Sequence, residues 1–319
     1  LALGVSALAP LTAFAQQRRA LPRVGFLALE SRETHRALDA IKSGLREHGY
    51  IEGQNIGLDV RFAGDRLDRL RQLASELIAA KVDVIVTYGT TATKIAAAAT
   101  KTVPIVIATA SIDPVAAGLA ASLARPGGNV TGSISSMGEV TGKRLAILRE
   151  MLPNLRTIAF LVNPDSGGGS NSIEPVNKAA RLLNIQVQTF IVRAAAEFEP
   201  TYAAMAKARV DALFVGPSSM FGVHVQEMVD LAARFRLPAM YHRLEYVMAG
   251  GLITYSPDFL RTYKNLGTYI DKILKGARPG DLPIEQPTTF ELVVNMKTAK
   301  ALGLKIPQSI MLQATKVIE

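Results

Sequence analysis

Between Val82 and Gly132 the chain reads VDVIVTYGTTATKIAAAATKTVPIVIATASIDPVAAGLAASLARPGGNVTG. Twice in this stretch an apolar, β-branched run ends in small polar residues that should open a helix. The first run is Val82–Tyr88, followed by Gly89-Thr90-Thr91. The second is Pro104–Ala108, followed by Thr109-Ala110-Ser111 and Asp113-Pro114. Unbroken Val/Ile runs of this length suit parallel strands buried on both faces. Thr and Ser then stand where a helix N-terminus offers unpaired N–H groups and a partial positive charge, a setting suited to a carboxylate. Two such ends side by side would form a pocket floor that holds an anionic or zwitterionic molecule without reacting with it.

The rest of the chain repeats the alternation. Arg23–Leu29 reads as a strand, and Thr34–Tyr50 as a helix with Ala37, Leu38, Ile41 and Leu45 on one face, closed by Gly49. Asn55–Ala63 alternates like a strand, and Asp65–Ala80 is helical with Leu67, Leu70, Leu73, Ala74 and Leu77 aligned. Strand–helix alternation of this kind predicts a doubly wound parallel sheet. After the turn cluster Arg125–Asn129 and the strand Val130–Ser136, a second set begins. Its helices are expected at 139–152, 173–183, 198–208 and 223–235, and its strands at 157–162, 186–192, 212–215 and 238–241. The remainder breaks the pattern, with strands at 251–255 and 290–295, helices at 258–275 and 296–302, and a Pro/Gly loop at 276–287. Crossovers at Val130–Ser135, Ser256–Asp258 and Gln286–Thr289 would join two α/β lobes by three strands, a hinge that opens and closes as a unit. The first lobe is expected to hold residues 21–132 and 258–287, the second 133–257 and 288–319.

The chain has 319 residues, enough for two domains, and 49% hydrophobic residues, enough for large cores. The first residues, LALGVSALAPLTAFA, carry no charge and end in Ala-Phe-Ala, so residues 1–15 read as the remnant of a signal peptide cleaved near Ala15. A short apolar helix of the folded domain is the competing reading of that segment. The absence of cysteine excludes disulfides, thiolate metal sites, a Cys nucleophile and a lipidated N-terminal Cys. A net charge of +9 raises nucleic-acid binding, but Lys and Arg are dispersed beside acids and form no basic run, so a solvated surface is the better account. His35, His48, His224 and His242 show no metal spacing, and only His242 stands where it could face a cleft.

The segments GLREHGYIEGQNIGLDVRFA (44–63), LASELIAAKVDVIVTYGTTAT (73–93), 104–132, GKRLAILREMLP (142–153), LAARFRLPAMY (231–241), AGGLITYSPD (249–258) and 269–307 together span nearly all of the chain after the N-terminal segment. In them the sequence resembles the ABC-transporter substrate-binding proteins of the tryptophan/tyrosine-binding type, which have the type I periplasmic-binding-protein fold. The resemblance implies a periplasmic receptor, free rather than tethered since no lipoprotein cysteine is present. Such a receptor closes on a small amino acid or aromatic carboxylate and delivers it to a permease and ATPase. Aromatic amino acids are the first expectation. Membrane contact would come only through the permease, with no cofactor and no nucleic acid.

In such a fold ligands bind at the carboxyl ends of strands, between lobes. That selects Thr90 and Thr91 as donors to a carboxylate, or else as helix caps. Ser111 lies beside Asp113, which either receives an ammonium or closes a turn before Pro114. Tyr88 stacks on a ring or only covers the wall. The second lobe offers Asn163, Asp165, Ser218, Tyr241 and Tyr255, although Asn163-Pro164 is also a standard turn opener. Glu30 reads as surface, with a lid charge as the alternative, and Glu245 could reach an amine but sits on a long loop. An enzyme is disfavoured: Gly167–Gly169 lacks the Walker lysine and the GxGxxG spacing, and GxSxG is absent. A ligand sensor for a membrane receptor is the alternative binding role.

Overall fold

The computed structural model describes residues 21–29, 36–64, 66–135, 138–166 and 168–319. The expected signal-peptide remnant and Glu30 lie outside the described residues. In chain order the first elements are β1 (Arg23–Ala28), α1 (Arg36–Glu47), β2 (Gly57–Phe62), α2 (Leu67–Ala79), β3 (Val84–Tyr88), α3 (Thr90–Ala99), β4 (Ile105–Thr109) and β5 (Val130–Ser133). The second set is α4 (Gly138–Met151), β6 (Thr157–Val162), α5 (Ser170–Leu182), β7 (Gln186–Ile191), α6 (Phe198–Lys207), β8 (Ala212–Val215), α7 (Ser219–Val223), α8 (Val225–Arg234), β9 (Ala239–Tyr241), α9 (Leu244–Met248) and β10 (Ile253–Pro257). The chain ends with α10 (Phe259–Leu274), β11 (Ile284–Glu285), β12 (Phe290–Asn295), α11 (Met296–Leu302), α12 (Gln308–Gln313) and β13 (Lys316–Ile318).

Two sheets result. The first has the order β11-β5-β4-β3-β1-β2 and the second β13-β12-β10-β9-β8-β6-β7. Every residue of β3 is buried because successive side chains enter different cores. Val84, Val86 and Tyr88 join α1 and α10 on one face, while Ile85 joins α2 and α3 on the other. The second sheet is built alike, with Phe160 and Val162 on the α4/α5 side and Ala159 and Leu161 on the α6/α8 side. Among the described residues all strand pairings are parallel except one: β10 runs antiparallel to β12, because the chain re-enters the second sheet from the opposite end after its excursion through the first.

The chain passes between the lobes three times: after β5, after β10 and after β11. These connections bond to one another. Ile134 N donates to the Glu285 carbonyl at 3.0 Å, and Asp258 N to that of Thr289 at 3.0 Å.

One expected helix is missing. The segment after β4 forms turns, not a helix. Asp113 Oδ1 accepts from the amides of Val115 and Ala116 at 2.9 and 3.1 Å. Leu119 and Ala120 donate back to the Pro114 carbonyl, and Gly118, at φ +67°, ends the turn in a left-handed conformation. The expected helix 223–235 is α8, which starts two residues later, after the short α7; α7, α9, β11, α12 and β13 were not foreseen.

The seam between α1 and α10 carries a buried carboxylate. Asp271 accepts from Tyr50 Oη at 3.1 Å and from Lys275 Nζ at 3.0 Å. Burial alone would raise its pKa, but the bonds from Lys275 and Tyr50 prevail and hold it below the usual carboxylate value. A lowered folded pKa contributes stability above the unfolded value, and that contribution disappears as pH falls through the folded one. Asp271→Asn is therefore expected to cost about 1 kcal/mol at pH 7. The deficit should shrink below about pH 4, which urea denaturation midpoints at pH 7 and pH 3 would check.

Candidate functional site

The carboxyl ends of the two sheets face each other across a cavity that is partly open to solvent. On the first-lobe side, β3 ends at Tyr88 and turns through Gly89, whose φ of +89° only glycine adopts easily, into α3. The first turn of α3 therefore opens onto the cavity at Thr90 and Thr91. Thr90 Oγ1 does not cap its own helix. It accepts from Ser111 N at 2.9 Å, tying the end of β3 to the end of β4 and leaving the hydroxyl proton free to donate. Thr109 and Ser135 add a hydroxyl pair at 3.1 Å on the same wall.

An aromatic corner stands beside these donors. Tyr88 and Tyr263 meet with ring centroids 5.9 Å apart at 57°, and Phe259 stacks on Tyr263 at 5.8 Å. Phe259 and Tyr263 lie four residues apart in the first turns of α10, and so share one face.

The second lobe supplies Ser166, Gly168, Pro217, Ser218, His242 and Arg243. Arg243 reaches over the Tyr88 ring, with its guanidinium carbon 6.0 Å from the centroid, and pairs with Glu245 at 3.1 Å. Burial opposes the Arg243 charge, yet Tyr88 and Glu245 against it keep the guanidinium firmly protonated. Burial also weakens the charged form of Glu245, but Arg243 outweighs it and holds the carboxyl below its usual range. Burial, with Arg144 and Arg243 nearby, drives His242 well below the ordinary histidine value, so its imidazole is neutral at physiological pH. Arg144 donates through Nε to the Tyr255 carbonyl at 2.6 Å and through Nη2 to the His242 carbonyl at 3.3 Å. Burial lowers Arg144 to about 10, which leaves it charged at neutral pH. The lobes also touch directly, since Asn171 Nδ2 donates to the Ser111 carbonyl at 3.3 Å. Gly168 packs so closely against Ser111 and Pro217 that a Cβ would lie 3.3 Å from that of Ser111.

Of the residues expected at the site, Tyr88, Thr90, Thr91, Ser111 and Ser218 line this cavity together. Asp113, Asn163, Asp165, Tyr241 and Tyr255 do not. Asp113 closes the turn after β4. Asn163 is buried and accepts from Asp165 N at 3.0 Å, the turn-opening role, and Asp165 pairs with Arg193 at 3.0 Å. Tyr241 is 1% exposed and stacks on Tyr246 at 4.8 Å in the second-lobe core. Tyr255 stacks on Phe290, and its carbonyl, not its ring, serves the site by holding Arg144. Expectation therefore missed Arg243, Tyr263, Phe259, Ser135 and Ser166. Arg243 was within reach, since it follows the end of β9 by two residues, the same rule that selected the other strand ends.

Among the described residues no cluster of three or more His, Asp or Glu could hold a metal ion, and no helix is long and apolar enough to cross a membrane. Two α/β lobes joined by three connections, with a polar and aromatic cavity between them, define a two-lobed small-molecule-binding protein of type I periplasmic-binding-protein architecture. Residues 27–318 match the family described as ABC transporter substrate binding protein, and the chain belongs to it. It is 26% identical over 275 residues to the "Tyrosine-binding protein" of Clostridioides difficile, covering 85% of this chain and 79% of that protein. A crystal structure from Streptococcus pneumonia, described as an ABC domain in complex with L-Trp, is 28% identical with a TM-score of 0.85, covering 94% of this chain and all of that one. A conserved domain protein of Vibrio cholerae O1 biovar El Tor is 26% identical with a TM-score of 0.86, over 93% and 99% of the two chains.

Proposed function

We propose that this chain is the extracytoplasmic receptor of an ABC importer, a periplasmic protein that captures a small aromatic carboxylate, amino acids included, and hands it unchanged to a permease and its ATPase. The observation that carries the ligand class is the meeting of three features in one cavity: the α3 N-terminus with Thr90 and Thr91, the Arg243 guanidinium from the opposite lobe, and the Tyr88–Tyr263–Phe259 corner. Amides at a helix start and a fork of guanidinium donors both suit a carboxylate. The aromatic rings offer an apolar face for a planar group. The tyrosine-binding and L-Trp-bound relatives support the same class of ligand.

Closure follows from the placement of these groups. Thr90, Thr91 and Tyr88 belong to the first lobe, at residues 21–132 with 258–287, and Arg243 to the second, at 133–257 with 288–319. A ligand shifts the open–closed balance only by its extra affinity for the closed form, and contacts made to both lobes at once supply that difference. A thermal-shift screen of aromatic acids, aromatic amino acids, aliphatic amino acids and neutral sugars tests the reading. At 100 times its Kd a ligand stabilises by about 2.7 kcal/mol, a shift of several degrees. Stabilisation by aromatic acids or amino acids is expected; stabilisation by a neutral sugar alone would overturn it.

A further inference from the structure

Ser111, just past the end of β4 in the first sheet, is gripped from both lobes. On its own side the Ser111 amide donates to Thr90 Oγ1 at 2.9 Å. From the second sheet, the loop after β6 and the first turn of α5 reach the same residue. Asn171 Nδ2 donates to the Ser111 carbonyl at 3.3 Å, and a Cβ built on Gly168 would lie 3.3 Å from that of Ser111. This second half is braced within its own lobe. Ser166 Oγ donates to the Asn163 carbonyl at 2.9 Å and accepts from Gly169 N at 3.1 Å, while Ser172 Oγ donates to the Gly169 carbonyl at 2.6 Å. Ser111 and Gly168 line the cavity, whereas Asn171 is exposed and stands outside its lining.

Both halves of this contact are therefore held by bonds inside their own lobes, and neither half needs a ligand to take its shape. Preformed surfaces of this kind meet at little cost in order. Swinging the lobes apart breaks the Asn171–Ser111 bond and uncovers Gly168. A contact made only when the lobes are together favours the closed form by its own free energy. It raises the closed fraction before any ligand arrives, and apparent affinity scales with the fraction of protein in the binding-competent form. We propose that Asn171 and Gly168 form a clasp on the Ser111 main chain that sets the open–closed balance of the empty receptor. Asn171 is then a positioning residue for capture, although it lies outside the cavity lining. The glycine at 168 is what lets the two backbones come this close. This inference rests on the closure described under the proposed function and not on its ligand class.

The chain has no cysteine, so a cross-link placed at the clasp reports on it alone. In a Ser111→Cys, Gly168→Cys variant the two Cβ atoms would approach to within a few tenths of an ångström of the usual disulfide range of about 3.5–4.5 Å. The substitution at 111 leaves the main-chain amide and carbonyl of the clasp in place. Under mild oxidation and with no ligand added, this variant is expected to form an intramolecular disulfide. Adding Asn171→Asp should slow its formation by about two- to tenfold, the size of one hydrogen bond lost from the closed form. Aspartate is close to asparagine in shape and suits the first turn of α5, but its carboxylate cannot donate to the Ser111 carbonyl. Alkylation of a lone Ser111→Cys thiol should proceed at the same rate with and without Asn171→Asp, which assigns the slowing to closure and not to the thiol. Absence of the disulfide in the empty protein overturns the clasp, and an unchanged rate in Asn171→Asp overturns the part given to Asn171. Small-angle scattering of Asn171→Asp alone is the measure that needs no cysteine: its radius of gyration should exceed the parent's, and an equal value counts against the clasp. Because no ligand is used, these results stand apart from the thermal-shift screen, whose failure would remove the receptor reading and leave the clasp in place.

Discussion

Arg243→Met is expected to weaken capture of an aromatic acid by about 10- to 150-fold, because a hydrogen bond to a charged partner contributes roughly 1.5–3 kcal/mol and each 1.4 kcal/mol is a factor of ten. The methionine keeps much of the apolar stem that packs beside Tyr88 while removing the fork of donors. Arg243→Lys should recover part of the loss, since it restores a point charge without the paired N–H geometry. The unliganded protein should melt within a few degrees of the parent. Glu245 keeps about a third of its side chain in water, so it can be hydrated when its partner is gone. Titration calorimetry beside thermal melts separates the two effects. An unchanged Kd in Arg243→Met would remove the anion assignment.

Gly267→Val carries the largest expected cost to stability. Helices α1 and α10 cross where Gly44 meets Gly267, and a Cβ on Gly267 would collide with the backbone of Gly44, just as one on Gly44 would strike the Lys264 carbonyl. Backbone atoms cannot step aside as a side-chain tip can, so the helices must separate and the core containing Leu45, Tyr263 and Ile270 must open. Overpacking of this kind costs about 3 kcal/mol or more, which for a domain of this size lowers Tm by about 6–12 °C. Ligand affinity should fall with it, because α10 carries Phe259 and Tyr263 into the cavity. Lys272→Ala, an exposed change on the same helix, should leave Tm within about 1 °C. A Gly267→Val protein that melts like the parent would mean that the two helices do not need this close approach.

The alternation of strands and helices was legible because its signals are local. The Val/Ile runs of β3 and β4 could only be strands buried on both sides, and the stripes Leu38–Ile41–Leu45 and Leu70–Leu73–Leu77 could only be helix faces. The run PVAAGLAASLA after β4 misled for the same reason. Its composition favours a helix, but Gly118 takes a left-handed conformation and Asp113 spends its carboxylate on a turn, and neither choice is visible in periodicity. The strand-end rule found the β3 and β4 edges of the cavity. In the second lobe it found Ser218, but it also selected Asp165, Tyr241 and Tyr255, whose side chains turn to Arg193, Tyr246 and Phe290 instead.

The amino-acid sequence by itself determined which segments are strands and helices, that two α/β sets follow one another, and that small polar residues open α3 at the end of β3. Those properties depend on neighbours a few residues apart, where backbone preference and burial pattern act directly. Only the tertiary structure decided that Arg243 lies over Tyr88, 155 positions earlier in the chain, and that Tyr263, on a helix already expected in the first lobe, packs against the same ring. It also decided that Asp113 serves a turn and Asp165 pairs with Arg193 instead of lining the cavity. Contacts of this range are set by how two cores and three connecting strands pack against each other, and no local pattern in either partner records them.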